Sequence, residues 1–271
     1  MSSSLEGLQF PISSATQKPS SSKTGREIIA EALASVDHQS SVRAKQEKNW
    51  RKKYPEYFKA LVEQGIQSPE AALSIAANGL NKAKHSFNFY RDQEKISLDE
   101  MMNLPIQPLH TIKLKGESNA VPEWYVPYHG QKLQGDALLQ QIQKWQDAGV
   151  VEPSHADALR EAVAHPEWFD LSDRTMVLFG AASEAGPLTW LAKWKANIVA
   201  IDLNNERVWD RILNTIQEGN ATLYAPSLEA LSADTPIQEL KQKLGANLLT
   251  HIPEIAQWLA QNEHQLDLAA I

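Results

Sequence analysis

The spacing of apolar residues changes along the chain. Between Arg26 and about Lys84, Ile28, Ile29, Ala32 and Leu33, and later Tyr57, Phe58, Leu61 and Val62, recur at intervals of three and four, which predicts helices. After Asp173 the pattern becomes short, unbroken apolar runs separated by amphipathic stretches. Residues 175–179 and 197–202 read as strands, the first apolar throughout, as a parallel strand covered on both faces is. The same reading places helices over 185–195 and 205–218, a third strand over 221–225, a short strand over 246–250, and helices over 236–243 and 254–262. Strand and helix in alternation predict an α/β fold: a partial parallel sheet at the C-terminal end, preceded by an α-helical N-terminal region.

Punctuating residues divide this pattern. Ser68-Pro69-Glu70 starts a helix, with a capping hydroxyl, a proline at the first helical position and an acid in the first turn, and Gly79 reads as its stop. Prolines 105, 108, 122 and 127 make residues 92–134 an extended connector. Asp136 is placed to cap a helix running to Asp147 and stopped by Gly149, and Ser154 to cap another that runs through about Ala164 and breaks at His165-Pro166. The Ser-rich start, with Pro11 and Pro19, reads as a disordered tail. The resulting division is 1–24 tail, 25–91 helical region, 92–172 connector and helices, and 173–271 α/β domain. The last run, Leu266–Ile271, suits the start of another strand, so the domain looks incomplete. Its open sheet edge calls for cover by a protein partner or by self-association.

The candidate chemistry lies where the first two strands of that domain end. The strand at 175–179 runs into Gly180-Ala181-Ala182-Ser183-Glu184-Ala185-Gly186-Pro187, and the next strand ends on Asp202, followed by Leu203. Small residues let backbone amides at a helix start approach a pyrophosphate, and an acid on the second strand can accept hydrogen bonds from a ribose diol. Gly180 and Asp202 are 22 positions apart, against about 20 in the dinucleotide fingerprint. Gly180, Ala182, Ser183, Glu184, Ala185, Gly186, Asp202 and Leu203 are therefore the candidate cofactor-binding residues. A bland reading stands beside each: small residues allow a helix to pack on a strand, and Asp202 can cap the helix near Asn205.

This turn resembles that of the short-chain dehydrogenase/reductase family of NAD(P)-binding Rossmann folds, which carries Gly-x-x-x-Gly-x-Gly after its first strand. Gly180 and Gly186 match the outer glycines, while Glu184 stands at the middle one. The likeness covers residues 173–230. It implies an NAD(P)-binding module of an oxidoreductase, with NAD preferred over NADP because Asp202 disfavours a 2′-phosphate. The family's Tyr-x-x-x-Lys motif belongs after the fourth strand; Tyr128 and Lys132 have its spacing but precede the turn, so no catalytic residue is assigned. Two other readings compete. One is a non-catalytic Rossmann-like scaffold or regulatory protein whose N-terminal helices bind a partner; the other is an S-adenosylmethionine-dependent methyltransferase, which uses a similar turn and acid.

Composition narrows the field further. With no cysteine, thiolate catalysis, disulfides and Cys-based metal sites are excluded, and no metal is expected at His155 or His165 either. A net charge of −7 disfavours nucleic acid as the partner of the whole chain. Residues 43–59 nevertheless carry Arg43, Lys45, Lys48, Arg51, Lys52, Lys53 and Lys59 among Trp50, Tyr54 and Tyr57, read as a solvated helix face with aromatics turned to a core. Aromatic residues at 124–130 read as a connector docking on the α/β core. No apolar run reaches a membrane span and no secretory signal is evident, so a soluble, cytoplasmic protein is expected, with a Ser-rich organellar leader as the alternative.

Overall fold

In the computed structural model, residues 6–13, 16–120, 122–232 and 234–263 are described. The fold is mixed α/β, with two compact units dividing at residues 105 and 106. The apolar run Leu266–Ile271 lies outside the described residues.

The first unit holds β1 (Gly7–Gln9), α1 (Ser21–Leu33), α2 (His38–Gln46), α3 (Trp50–Gly65), α4 (Pro69–Lys84), β2 (Asn88–Arg91), β3 (Glu94–Ile96) and α5 (Leu98–Met101). The stretch read as a disordered tail contains β1, which pairs antiparallel with β2, and enters α1 at Ser21 under a Ser20 cap. Leu8 lies opposite Phe89, a fully buried side chain on β2 that supplies apolar cover. Ser68 caps α4 as its sequence predicts, accepting from the Ala71 amide at 3.1 Å. Gly79 does not stop that helix. It lies inside α4, where a Cβ would meet the Ala32 Cβ at 3.3 Å, so the glycine serves close packing against α1. Trp50 and Tyr57 stack in a small core with Ala30 and Ala44, whereas Tyr54 faces solvent.

The second unit begins with β4 (His110–Lys115), the hairpin β5 (Val126–Tyr128) and β6 (Gln131–Leu133), α6 (Gly135–Asp147), α7 (Pro153–Ala164) and a 3-10 turn (Pro166–Phe169). It continues with β7 (Thr175–Phe179), α8 (Leu188–Leu191), β8 (Asn197–Ile201), α9 (Glu206–Gln217), β9 (Thr222–Ser227), α10 (Ile237–Lys243) and α11 (Ile252–Gln261). Two helix starts differ from expectation: α6 begins at Gly135, before Asp136, and α7 begins at Pro153, whose fixed φ suits the first helical position, with Ser154 inside the helix. Residues 246–250 form a turn rather than a strand.

The main sheet has the order β4-β9-β8-β7, with β7, β8 and β9 parallel and β4 antiparallel on the edge. The proline-rich stretch read as a surface connector thus supplies a sheet strand, and it covers the β9 edge. Side chains alternate between two cores. Ile198, Ala200, Leu223 and Ala225 meet α8, α9 and α10, with Trp209 and Ile212 fully buried, while Val199, Ile201 and Tyr224 meet Ile255 and Trp258 of α11. The Trp258 indole donates to Thr111 Oγ1 at 2.8 Å, fastening α11 to β4. Both faces of the sheet are covered, and β7 forms its other edge.

The aromatic segment at 124–130 docks within this unit. Trp124 stacks on Phe169 and Tyr125 packs on Trp190, with ring centroids 5.3 and 4.8 Å apart, and the Trp194 indole donates to the Glu123 carbonyl at 2.9 Å. Rings packed in sequence join the small core of α6, α7 and the hairpin to α8.

Candidate functional site at the carboxyl ends of the strands

The β7 strand ends on Phe179 opposite Ile201, and Gly180 turns the chain with φ +72°, a left-handed value that glycine accepts without strain. Its amide donates to the Ile201 carbonyl at 2.8 Å, so the turn begins by extending the sheet ladder. The Ser183 amide then donates to the Gly180 carbonyl at 2.9 Å and the Gly186 amide to the Ser183 carbonyl at 3.0 Å. A Cβ at Gly186 would sit 3.2 Å from that Ser183 oxygen, so the second glycine permits tight winding of the turn. Pro187 has no amide hydrogen. The helix expected over 185–195 is only Leu188–Leu191 with turns on either side, because consecutive tight turns use up residues 180–187.

Asp202 lies across from this turn. One carboxylate oxygen accepts from the Ala182 amide and the other from the Leu203 amide, both at 2.8 Å. The acid therefore latches the turn to the end of β8. It does not cap α9: Asn205 performs that task, accepting from the Arg207 and Val208 amides. Ser183, Glu184, Ala185 and Leu203 are exposed, Ala182 and Gly186 half-buried. The structure therefore gathers the eight candidate residues into one corner. Of the turn's amides, those of Gly180, Ala182, Ser183 and Gly186 are committed internally.

One feature of this corner escaped the sequence pattern. The pairing of β8 with β9 stops at Val199 and Tyr224, and the two strands splay beyond it. Residues 244–246 enter the fork. Leu244 bridges antiparallel to Ser227, the Gly245 amide donates to the Pro226 carbonyl at 2.8 Å, and the Ala246 amide donates to the Asp202 carbonyl at 3.0 Å. Asn204 Nδ2 closes the same seam by donating to the Leu244 carbonyl, and the buried Trp209 indole donates to the Leu203 carbonyl. The fit is tight at Gly245, whose φ is +109°. A Cβ there would stand 2.6 Å from Trp209 Nε1 and 2.8 Å from the Leu203 oxygen. That isolated glycine after α10 was the available sequence signal.

Compared with protein-family models, curated proteins and solved structures, the chain matches none. Its chemistry therefore rests on its own geometry. Two clefts lie away from the turn. One, of about 620 Å³, is lined by Asn205, Arg207, Asp210 and Lys241 beside α9 and α10. The other, of about 470 Å³, lies at the amino ends of the strands, among Lys115, Ser118, Lys195, Asn197 and Asn220. There Lys195 Nζ donates to Asp170 at 2.6 Å, and this bond, with the Ser172 amide, holds the Asp170 carboxyl down to about 2. Among the described residues no group of three or more His, Asp or Glu is placed to hold a metal ion, and no helix is long and apolar enough to cross a membrane. Tyr128 and Lys132 sit on the β5-β6 hairpin, with Lys132 over the Tyr125 ring at 4.6 Å.

Proposed function

We propose that this protein is a non-catalytic scaffold whose second unit is built on a Rossmann-like half-fold. Support for the half-fold comes from the order β9-β8-β7 of three parallel strands joined through α8 and α9, which is the 3-2-1 order of one mononucleotide-binding half. The scaffold reading rests on the filled fork. In such a half the ribose is held by the acid ending the second strand, and here residues 244–246 enter beside that end, with the Ala246 amide on the Asp202 carbonyl at 3.0 Å.

The turn agrees with this reading. A pyrophosphate cradle requires amides free to donate at the start of a helix with a developed dipole. This turn commits four of its amides internally, ends on a proline, precedes a single helical turn and carries Glu184 where a phosphate would be repelled. The residues present do not fit a dinucleotide, and no hydride-transfer step is assigned to them. The methyltransferase reading meets the same filled fork.

Isothermal titration with NAD⁺, NADH, NADPH and S-adenosylmethionine tests the proposal, and no binding heat is expected up to millimolar ligand. Saturable NAD⁺ binding that is lost in Asp202→Ala would overturn it in favour of a dinucleotide-binding module.

A further inference from the structure

The first unit presents an apolar surface that its own core does not use. On α3, Tyr54, Phe58 and Val62 follow one another every four residues, and Ile66 continues the row at the end of the helix. Val62 is 62 % exposed and Ile66 75 %. On α4, Leu73 and Leu80 are 71 % and 72 % exposed, with exposed Ala76 and Ala77 between them and exposed Ala72 before them, and the helix has no fully buried residue. The polar side of α4 is the side engaged with α1: Ser74 and Asn78 hydrogen-bond to Ser35, and Lys82 pairs with Glu27. The apolar side thus points outward, the reverse of an ordinary surface helix. A Cβ at Gly65 would stand 3.9 Å from Ile75, so the side of α3 carrying Phe58 and Val62 adjoins α4 and the two rows form one surface.

We propose that this surface is a two-fold interface between two copies of the chain, closing α3 and α4 of each into a four-helix layer. Shape and charge both select a second copy. The surface pairs a ridge, the large side chains of α3, with a trough, the alanines of α4, so a ridge on one copy has a trough of the right kind on the other. Antiparallel pairing of α3 about Ala60 places Tyr54 at the partner's Ile66 and Phe58 at the partner's Val62. The same register sets the Lys59–Glu63 ion pair of one copy beside that of the other, and Arg51 and Lys52 at the acidic first turn of the partner's α4, where Glu70 lies. The extent is adequate. Two 16-residue helices at the usual spacing offer a face of about 24 by 20 Å, about 480 Å² per partner, close to the roughly 1,000 Å² in total that marks the lower end for a specific interface.

Sedimentation velocity of the full chain across micromolar concentrations tests the inference, with Val62→Glu/Leu73→Glu as the variant. Both positions are exposed, so its circular dichroism should match the wild type. Wild type is expected at twice 30.2 kDa, and the variant at 30.2 kDa with self-association weakened at least about tenfold. A monomeric wild type would overturn the proposal, as would a variant that remains dimeric. A monomeric wild type that pellets with phosphatidylserine vesicles would assign the surface to an anionic membrane instead. None of these outcomes depends on the dinucleotide titration.

Discussion

At the residue scale, Asp202 decides how the candidate corner is read. An acid at a strand end can serve a ribose or its own backbone, and here both oxygens accept backbone amides. Removing an acceptor and leaving the backbone donors it served without a partner costs about 1–3 kcal/mol. Asp202→Ala should therefore lower the free energy of unfolding by that amount in urea titrations. An unchanged midpoint would show that the latch carries no weight. Asp170 gives a separate test by pH. Its carboxyl is held down to about 2 by Lys195, below the ordinary 3.8, so the stability it contributes is present above pH 3.8 and is lost as pH falls toward 2. Asp170→Asn should lower the urea midpoint at neutral pH, flatten that part of the acid-unfolding profile and converge with the wild type near pH 2; equal midpoints at pH 7 would contradict this.

At the element scale, strands β7, β8 and β9 and helix α9 were legible because their apolar patterns are long and their boundaries carry strong signals, such as Asn205 before α9. What was not legible depended on distant partners. The β4 strand contains His110 and the charged Lys113 and Lys115 and follows prolines, and it becomes a strand because β9 offers it six paired positions. Helix α8 is shorter than its sequence predicts because small, apolar residues fit a helix and a series of turns equally well. The candidate corner was legible as a cluster from the spacing of Gly180 and Asp202; its internal commitment was not, since residues 244–246 fill the fork through backbone amides that leave no side-chain pattern. Close backbone contacts explain two further glycines. A Cβ on Gly219 would fall 2.1 Å from the Ala192 oxygen, and one on Gly116 would fall 2.3 Å from the Gly219 oxygen, so loop, helix end and strand end touch through glycine alone. Gly219→Ala is expected to cost at least about 2 kcal/mol, read from the urea midpoint.

At the scale of the whole molecule, the two units carry opposite characters. Counted from the sequence, residues 1–105 hold 14 Lys and Arg against 12 Asp and Glu, while residues 106–271 hold 12 against 21. The acidic unit has both sheet faces covered and its strand-end fork filled, as befits a packing unit. The basic unit leaves apolar rows in solvent, as befits an associating one. The division of labour rests on the corner at Asp202 being closed without a ligand. Hydrogen exchange at the Ala182 amide, followed by NMR with and without millimolar NAD⁺, reports on this directly. A closed corner gives a protected amide that NAD⁺ leaves unchanged and that Asp202→Ala exposes; an amide that exchanges freely in the wild type and becomes protected only when NAD⁺ is added would contradict the account.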